Sequence, residues 1–189
     1  MTTAKKVWVI LAEGFEEIEA VTPIDVLRRA GLEVTVAGVG SASIMGAHGI
    51  RITADREVGS HGDIPAAIVL PGGMPGASNL AASSEVTALI RKVHASGGIV
   101  AAICASPAVV LAPLGLLDGM SATCYPGFED RLGASVKHSA ERVVRAGNVI
   151  TSRGPGTALE FSLAIVEALA GGPAVEALKD QMVLRGIRV

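Results

Sequence analysis

Three runs of strand length, residues 7–11 (VWVIL), 66–70 (AAIVL) and 99–103 (IVAAI), contain no polar residue at all. A strand with one wet face alternates apolar and polar side chains, so an unbroken apolar run belongs to a strand covered on both faces. Parallel sheets have this property, because each crossover connection lays a helix on one face or the other. The chain is therefore predicted to be an α/β protein, a mostly parallel sheet with helices on both faces.

The segments between the runs agree with that order. A helical stretch follows Phe15 and ends in Val26-Leu27-Arg28-Arg29-Ala30-Gly31, where arginines suit the negative end of the helix dipole and glycine suits the cap. Pro23 is expected in its first turn, or else as a kink. Residues 34–39 form a further buried strand, and residues 50–54 (IRITA) alternate like one half-exposed strand of a hairpin. A helix is predicted over residues 84–95, closing at Gly97-Gly98, and a late strand over 149–151. After it, Leu159, Leu163, Val166 and Leu169 recur at helical spacing, and a last helix runs over 174–184. Nothing resembling a linker, repeat or low-complexity tract interrupts the 189 residues, so one domain is expected.

Composition narrows the function classes. Aromatic residues make up 3% of the chain, so the core must be aliphatic, and 16 basic against 18 acidic residues leave no electrostatic footprint for nucleic acid. No apolar run approaches the roughly 20 residues that span a bilayer. The apolar stretch after residues 1–6 meets Glu13 too soon for a signal peptide, and a cytoplasmic location follows as the expectation. Cys104 and Cys124 form no disulfide framework and are expected as free thiols.

In open α/β sheets, ligands bind beyond the carboxyl ends of the strands. That rule gathers four segments at one edge: residues 13–19, 71–76, 104–107 and 152–157. Cys104 follows five apolar residues and precedes Ala105-Ser106-Pro107, small side chains at the place where the chain must turn sharply from strand to helix. A lone cysteine is commonly a small buried hydrophobe. At such a nucleophile elbow, however, unpaired amides lower a thiol pKa and can hold a developing oxyanion. Gly72-Gly73 serves a turn, and also lets backbone N–H groups approach a ligand. Among Glu13, Glu16, Glu17 and Glu19, most are expected to be solvated, whereas one pointing inward beside the thiol would keep its proton. His48, His61, His94 and His138 are scattered outside these four segments, and no metal, NAD or ATP spacing occurs, so no metal and no cofactor are expected.

Four motifs, Gly14-Phe15-Glu16-Glu17-Ile18-Glu19, Leu70-Pro71-Gly72-Gly73, Ala101-Ala102-Ile103-Cys104-Ala105 and Thr151-Ser152-Arg153-Gly154-Pro155-Gly156-Thr157, resemble the ThiJ/PfpI superfamily. More narrowly, they resemble its branch of parkinsonism-associated protein deglycases and YajL-like relatives. The resemblance implies a flavodoxin-like three-layer sandwich, a homodimer and no organic cofactor. It also implies Cys104 as the reactive cysteine, Glu19 as a protonated glutamate beside it, and Gly73 and Ala105 as backbone donors. Arg153 and Pro155 match the loop bordering the pocket. Two positions depart from the pattern: Cys124-Tyr125-Pro126 stands where many members carry His-Pro, and Ser106 stands where the elbow commonly carries glycine. A phenol is a poor base at neutral pH, so Tyr125 is expected to be structural and protease chemistry loses its base.

The expected function is therefore cysteine-dependent handling of reactive carbonyls, as a glyoxalase converting methylglyoxal to lactate or a deglycase acting on glycated side chains. The alternatives are a redox-sensing stress protein or chaperone and, less favoured, an amidase or peptidase. Phe15, placed at the surface on this reading, together with the resemblance, points to a homodimer. Tyr125 and Cys124 are expected to face opposite ways, so that Cys124 is no resolving partner for Cys104.

Overall fold

The computed structural model describes residues 4–59 and 64–184; His61 lies outside them. The strands are β1 (Lys6–Leu11), β2 (Glu33–Gly38), β3 (Ser43–Met45), β4 (Arg51–Thr53), β5 (Arg56–Glu57), β6 (Ala67–Leu70), β7 (Ile99–Ile103), β8 (Ser121–Ala122), β9 (Lys137–His138), β10 (Val143–Ala146) and β11 (Val149–Ser152). The α-helices are α1 (Glu17–Arg29), α2 (Gly76–Ala82), α3 (Ser84–Ala95), α4 (Ala158–Ala170) and α5 (Gly172–Gln181). The main sheet has the order β10-β11-β7-β6-β1-β2-β5, parallel throughout except for β10 at its edge. From β1 the chain first adds β2 on one side and then crosses to β6 on the other. The carboxyl ends of β1 and β6 therefore form the topological switch point, where such sheets leave a crevice.

Alternation along the strands divides the core. Val7, Val9 and Leu11 pack with Ala20 and Leu27 of α1, Phe161 and Ile165 of α4 and Leu178 of α5. Trp8 and Ile10 point the other way, toward Leu80 of α2 and Ile90 and Val93 of α3. Each fully buried Leu, Ile or Val contributes about 1.5–3 kcal/mol, so both faces are held without aromatic stacking. This is the expected three-layer architecture.

Several local expectations change. Pro23 lies in the interior of α1 rather than its first turn, four residues past Glu19, so the Glu19 carbonyl receives no helical N–H from it. α5 stops at Gln181 rather than reaching Leu184, since Val183 adopts a left-handed φ of 57°. The hairpin strand predicted over 50–54 is β4, paired antiparallel with β3, whereas α2 and β10 had no distinct sequence signal. Phe15 is not at the surface: it is 1% exposed, its carbonyl accepts the Ala47 N–H at 2.8 Å, and the β3–β4 hairpin covers it through Gly46. The exposed apolar side chains nearby are Ile18 and Val21 on α1 and Ile50 before β4. Among the described residues, no helix is long and apolar enough to cross a membrane.

Candidate active site

The residue after β7, Cys104, has φ +66°, a left-handed conformation that costs a side-chain-bearing residue on the order of 1–3 kcal/mol. Neighbouring loops lock it there. Its N–H donates to the Ser152 carbonyl at 2.9 Å and its carbonyl accepts the Tyr125 N–H at 2.8 Å. The chain then enters a π-helical turn, Pro107–Leu111, followed by the 3-10 turn Ala112–Leu114. The N–H groups of Gly73 and Ala105 both hydrogen-bond the Cys104 sulfur.

Glu19 arrives from the first turn of α1 and is completely buried. Its Oε2 accepts the Gly72 N–H at 2.8 Å, while Oε1 has no hydrogen-bond partner among the described residues. Burial pushes the Glu19 carboxyl up to about 7, against the pull of the Gly72 N–H and the Cys104 thiol. Burial, and next the charge of Glu19, push the Cys104 thiol up to about 12, against the Gly73 and Ala105 amides. The expected lowering of the thiol pKa by the turn is thus outweighed. The turn supplies the amides, but the thiol is buried and shares its space with a carboxylate. The pair favours holding a proton, and at neutral pH it is Glu19 that stands near its midpoint.

The two glycines divide the work expected of them jointly. Gly72 spends its N–H on Glu19, and a Cβ there would lie 2.6 Å from Cys104 Cβ and 2.9 Å from Glu19 Oε2. Gly73 supplies the amide to sulfur and has φ +83°, with the chain at residues 14–16 so near that any Cβ would collide with the Glu16 nitrogen at 2.5 Å.

On the far side, the Tyr125 ring lies against Gly154, where an added Cβ would meet its Cδ2 at 3.1 Å, and stacks edge-on against Phe128. Arg153 directs its guanidinium to the Ala140 carbonyl at 3.2 Å, and Pro155 opens the 3-10 turn Pro155–Thr157. These residues border the elbow through the backbone bonds of Cys104 to Ser152 and Tyr125. Cys124 is fully buried in the core layer of α3, opposite to the layer in which Cys104 packs, while Tyr125 is 44% exposed.

The contacts of Glu17, His48 and Ser106 had no sequence signal. Glu17 is buried and accepts the His48 N–H at 2.7 Å, the Ile50 N–H at 3.3 Å and His48 Nδ1 at 2.9 Å, so the hairpin is tied to α1 beside the site. His48 thereby joins the acidic segment, with Glu16 Oε2 at 3.5 Å. Ser106 is fully buried, its hydroxyl donating to the Pro71 carbonyl at 2.5 Å. A cleft of about 580 Å³ opens at the carboxyl ends of β1 and β2, lined by Glu13, Gly40, Glu57 and Asn79 among others. It includes neither Cys104 nor Glu19, so the chemistry and not this hollow marks the site.

Residues 5–168 match the DJ-1/PfpI family. The chain is 42% identical over 186 residues to the zebrafish (Danio rerio) Parkinson disease protein 7 homolog, covering 96% of this chain and 98% of that one. It is 39% identical over 177 residues to the glutathione-independent glyoxalase DJR-1.2 of Caenorhabditis elegans, covering 90% of this chain and 92% of that one. Among solved structures, oxidized Toxoplasma gondii DJ-1 superposes with a TM-score of 0.90 at 38% identity, over 96% of this chain and all of that one.

Proposed function

The chain belongs to the DJ-1/PfpI family, and from that premise we propose that it converts small reactive aldehydes, methylglyoxal first among them, by covalent catalysis at Cys104. The observation that carries this reading is the pairing at the elbow. A cysteine is held at φ +66° with two backbone N–H groups on its sulfur, next to a buried carboxyl whose pKa of about 7 suits proton transfer at neutral pH. A relative of comparable length carries the name glyoxalase.

The chemistry follows from those groups. Glu19, as carboxylate, takes the thiol proton while sulfur attacks the aldehyde carbon. A C–S bond forms, and the carbonyl oxygen, carrying the displaced π pair, takes a proton from Glu19 to give a hemithioacetal. Glu19 then removes the proton from that same carbon while the ketone oxygen takes one, which gives an enediol. A proton returned to the former ketone carbon, with loss of the proton on the hemithioacetal hydroxyl, leaves a lactoyl thioester. Water adds to the thioester, the C–S bond breaks, and lactate departs as sulfur regains its proton. The whole is a net hydration of methylglyoxal, with no external oxidant or reductant. Adducts of such aldehydes on Cys, Arg or Lys side chains are substrates of the same class.

A specific feature also favours the redox reading. Glu19 Oε1 has no hydrogen-bond partner among the described residues, and a proton held there would be available to an oxygen added to the Cys104 sulfur. A solved relative is described as oxidized. The deciding experiment is methylglyoxal turnover in metal-free, thiol-free buffer by the wild type and Cys104→Ser. Lactate from the wild type alone supports the enzyme; lactate from neither leaves redox sensing as the reading.

A further inference from the structure

Ser106 takes no part in the chemistry above, yet its position is built as though it did. Its hydroxyl donates to the Pro71 carbonyl at 2.5 Å, and that carbonyl belongs to the peptide group whose N–H is the Gly72 N–H. The same N–H donates to Glu19 Oε2 at 2.8 Å. Hydroxyl, peptide and carboxyl therefore stand in one line, joining the turn after β7 to α1 by way of the loop after β6. All three side-chain positions are closed to solvent or lack a side chain: Ser106 and Glu19 are 0% exposed, and Gly72 has no Cβ. We propose that Ser106 is a positioning residue, which sets the orientation and donor strength of the Gly72 N–H and through it the proton affinity of Glu19.

Two physical effects act through the peptide. In a trans peptide the C=O and N–H point to opposite sides of one plane, so a bond at each end clamps that plane. Gly72, with the freest backbone of any residue, is where such a clamp matters most. Donation to the carbonyl also deepens the amide resonance and makes the N–H a stronger donor, the cooperative effect seen along hydrogen-bond chains. A stronger donor favours the charged carboxylate, so Ser106 opposes the rise that burial imposes on Glu19. The other groups that act on Glu19 are the Cys104 thiol and the Glu16 carboxylate. The Ser106 hydroxyl donates to neither, its bond being to the Pro71 carbonyl. Where an elbow carries glycine at this place, the clamp has no hydroxyl, and the acid must be tuned by other means.

This inference rests on the reading of Glu19 as the proton carrier, so its test is a titration without substrate. Carbon-13 NMR of carboxyl-labelled glutamate, with Glu19→Gln to assign the signal, gives the Glu19 midpoint in the wild type, Ser106→Ala and Ser106→Thr. Ser106→Ala is expected to raise the midpoint by about half a pH unit, and Ser106→Thr, which keeps a hydroxyl, to restore it. An unchanged or lowered midpoint in folded Ser106→Ala overturns the proposal. If Ser106→Ala does not fold, Ser106→Thr decides: a wild-type midpoint sustains the proposal, a raised one overturns it. Absence of aldehyde turnover in the wild type would refute the proposed function and leave this titration readable.

Discussion

Glu19 Oε2 and the Gly72 N–H, 53 residues apart in the chain, meet at 2.8 Å inside a pocket that leaves the other carboxyl oxygen without a hydrogen-bond partner among the described residues. Glu19→Gln keeps an amide oxygen for the Gly72 N–H but removes the mobile proton. The variant is expected to fold and to lose about 10²–10⁴ in methylglyoxal kcat, the usual contribution of a positioned acid–base group. Parallel circular dichroism and lactate assays check both halves. Full turnover in a folded Glu19→Gln protein would remove Glu19 from the mechanism.

The same carboxyl makes stability depend on pH. Its folded pKa is raised from 4.5 to about 7, so the native state holds the proton more tightly than the unfolded chain. The stabilisation is complete below 4.5 and is lost as pH rises through 7, and the gap corresponds to about 3 kcal/mol. Urea unfolding at pH 5 and pH 8 should show wild type losing stability relative to Glu19→Gln as pH rises.

Glu17 runs in the opposite sense. Burial raises its pKa, but His48 and the surrounding backbone N–H groups outweigh that and hold it below 4.5. Its contribution is present above 4.5 and lost as pH falls through the lowered value. Glu17→Gln is expected to cost about 1–3 kcal/mol at pH 7, with the cost shrinking toward pH 3. A cost that is the same at both pH values would refute the assignment.

Gly72→Ala places a methyl 2.6 Å from Cys104 Cβ and 2.9 Å from both Glu19 Oε2 and the Ile103 carbonyl. Overpacking of this kind costs about 1–3 kcal/mol, and the pair should be forced apart with loss of turnover. Gly156→Ala, where an added Cβ meets nothing within 4 Å, serves as the control and should stay within about 0.5 kcal/mol of wild type.

Peroxide should add oxygen to Cys104 and spare Cys124. Cys104 is 8% exposed at the elbow, Cys124 is 0% exposed, and the two pack in core layers on opposite sides of the sheet. Peptide mass after mild oxidation reads the outcome. An intramolecular disulfide between them, or oxygen on Cys124 alone, would contradict the geometry.

What was legible in the sequence was whatever depends on near neighbours along the chain. Unbroken apolar runs such as Val7 to Leu11 announced strands covered on both faces, and Val7, Trp8 and Val9 do alternate between two core layers. The small residues after Ile103 announced a tight turn, and Cys104 takes it at φ +66°. The combination of four motifs announced the family. Contacts between distant segments were not legible. Phe15, expected at the surface because it lies in a loop, is covered by a hairpin some 30 residues later. Glu17, one of four similar glutamates, is buried because that hairpin turns its amides toward it. Ser106 was judged by its size, whereas its hydroxyl bonds a carbonyl 35 residues back. The proton balance of Cys104 and Glu19 was beyond local reading altogether. Desolvation sums over every element packed around a group, so only the closed tertiary structure decides which of two neighbouring acids keeps its proton.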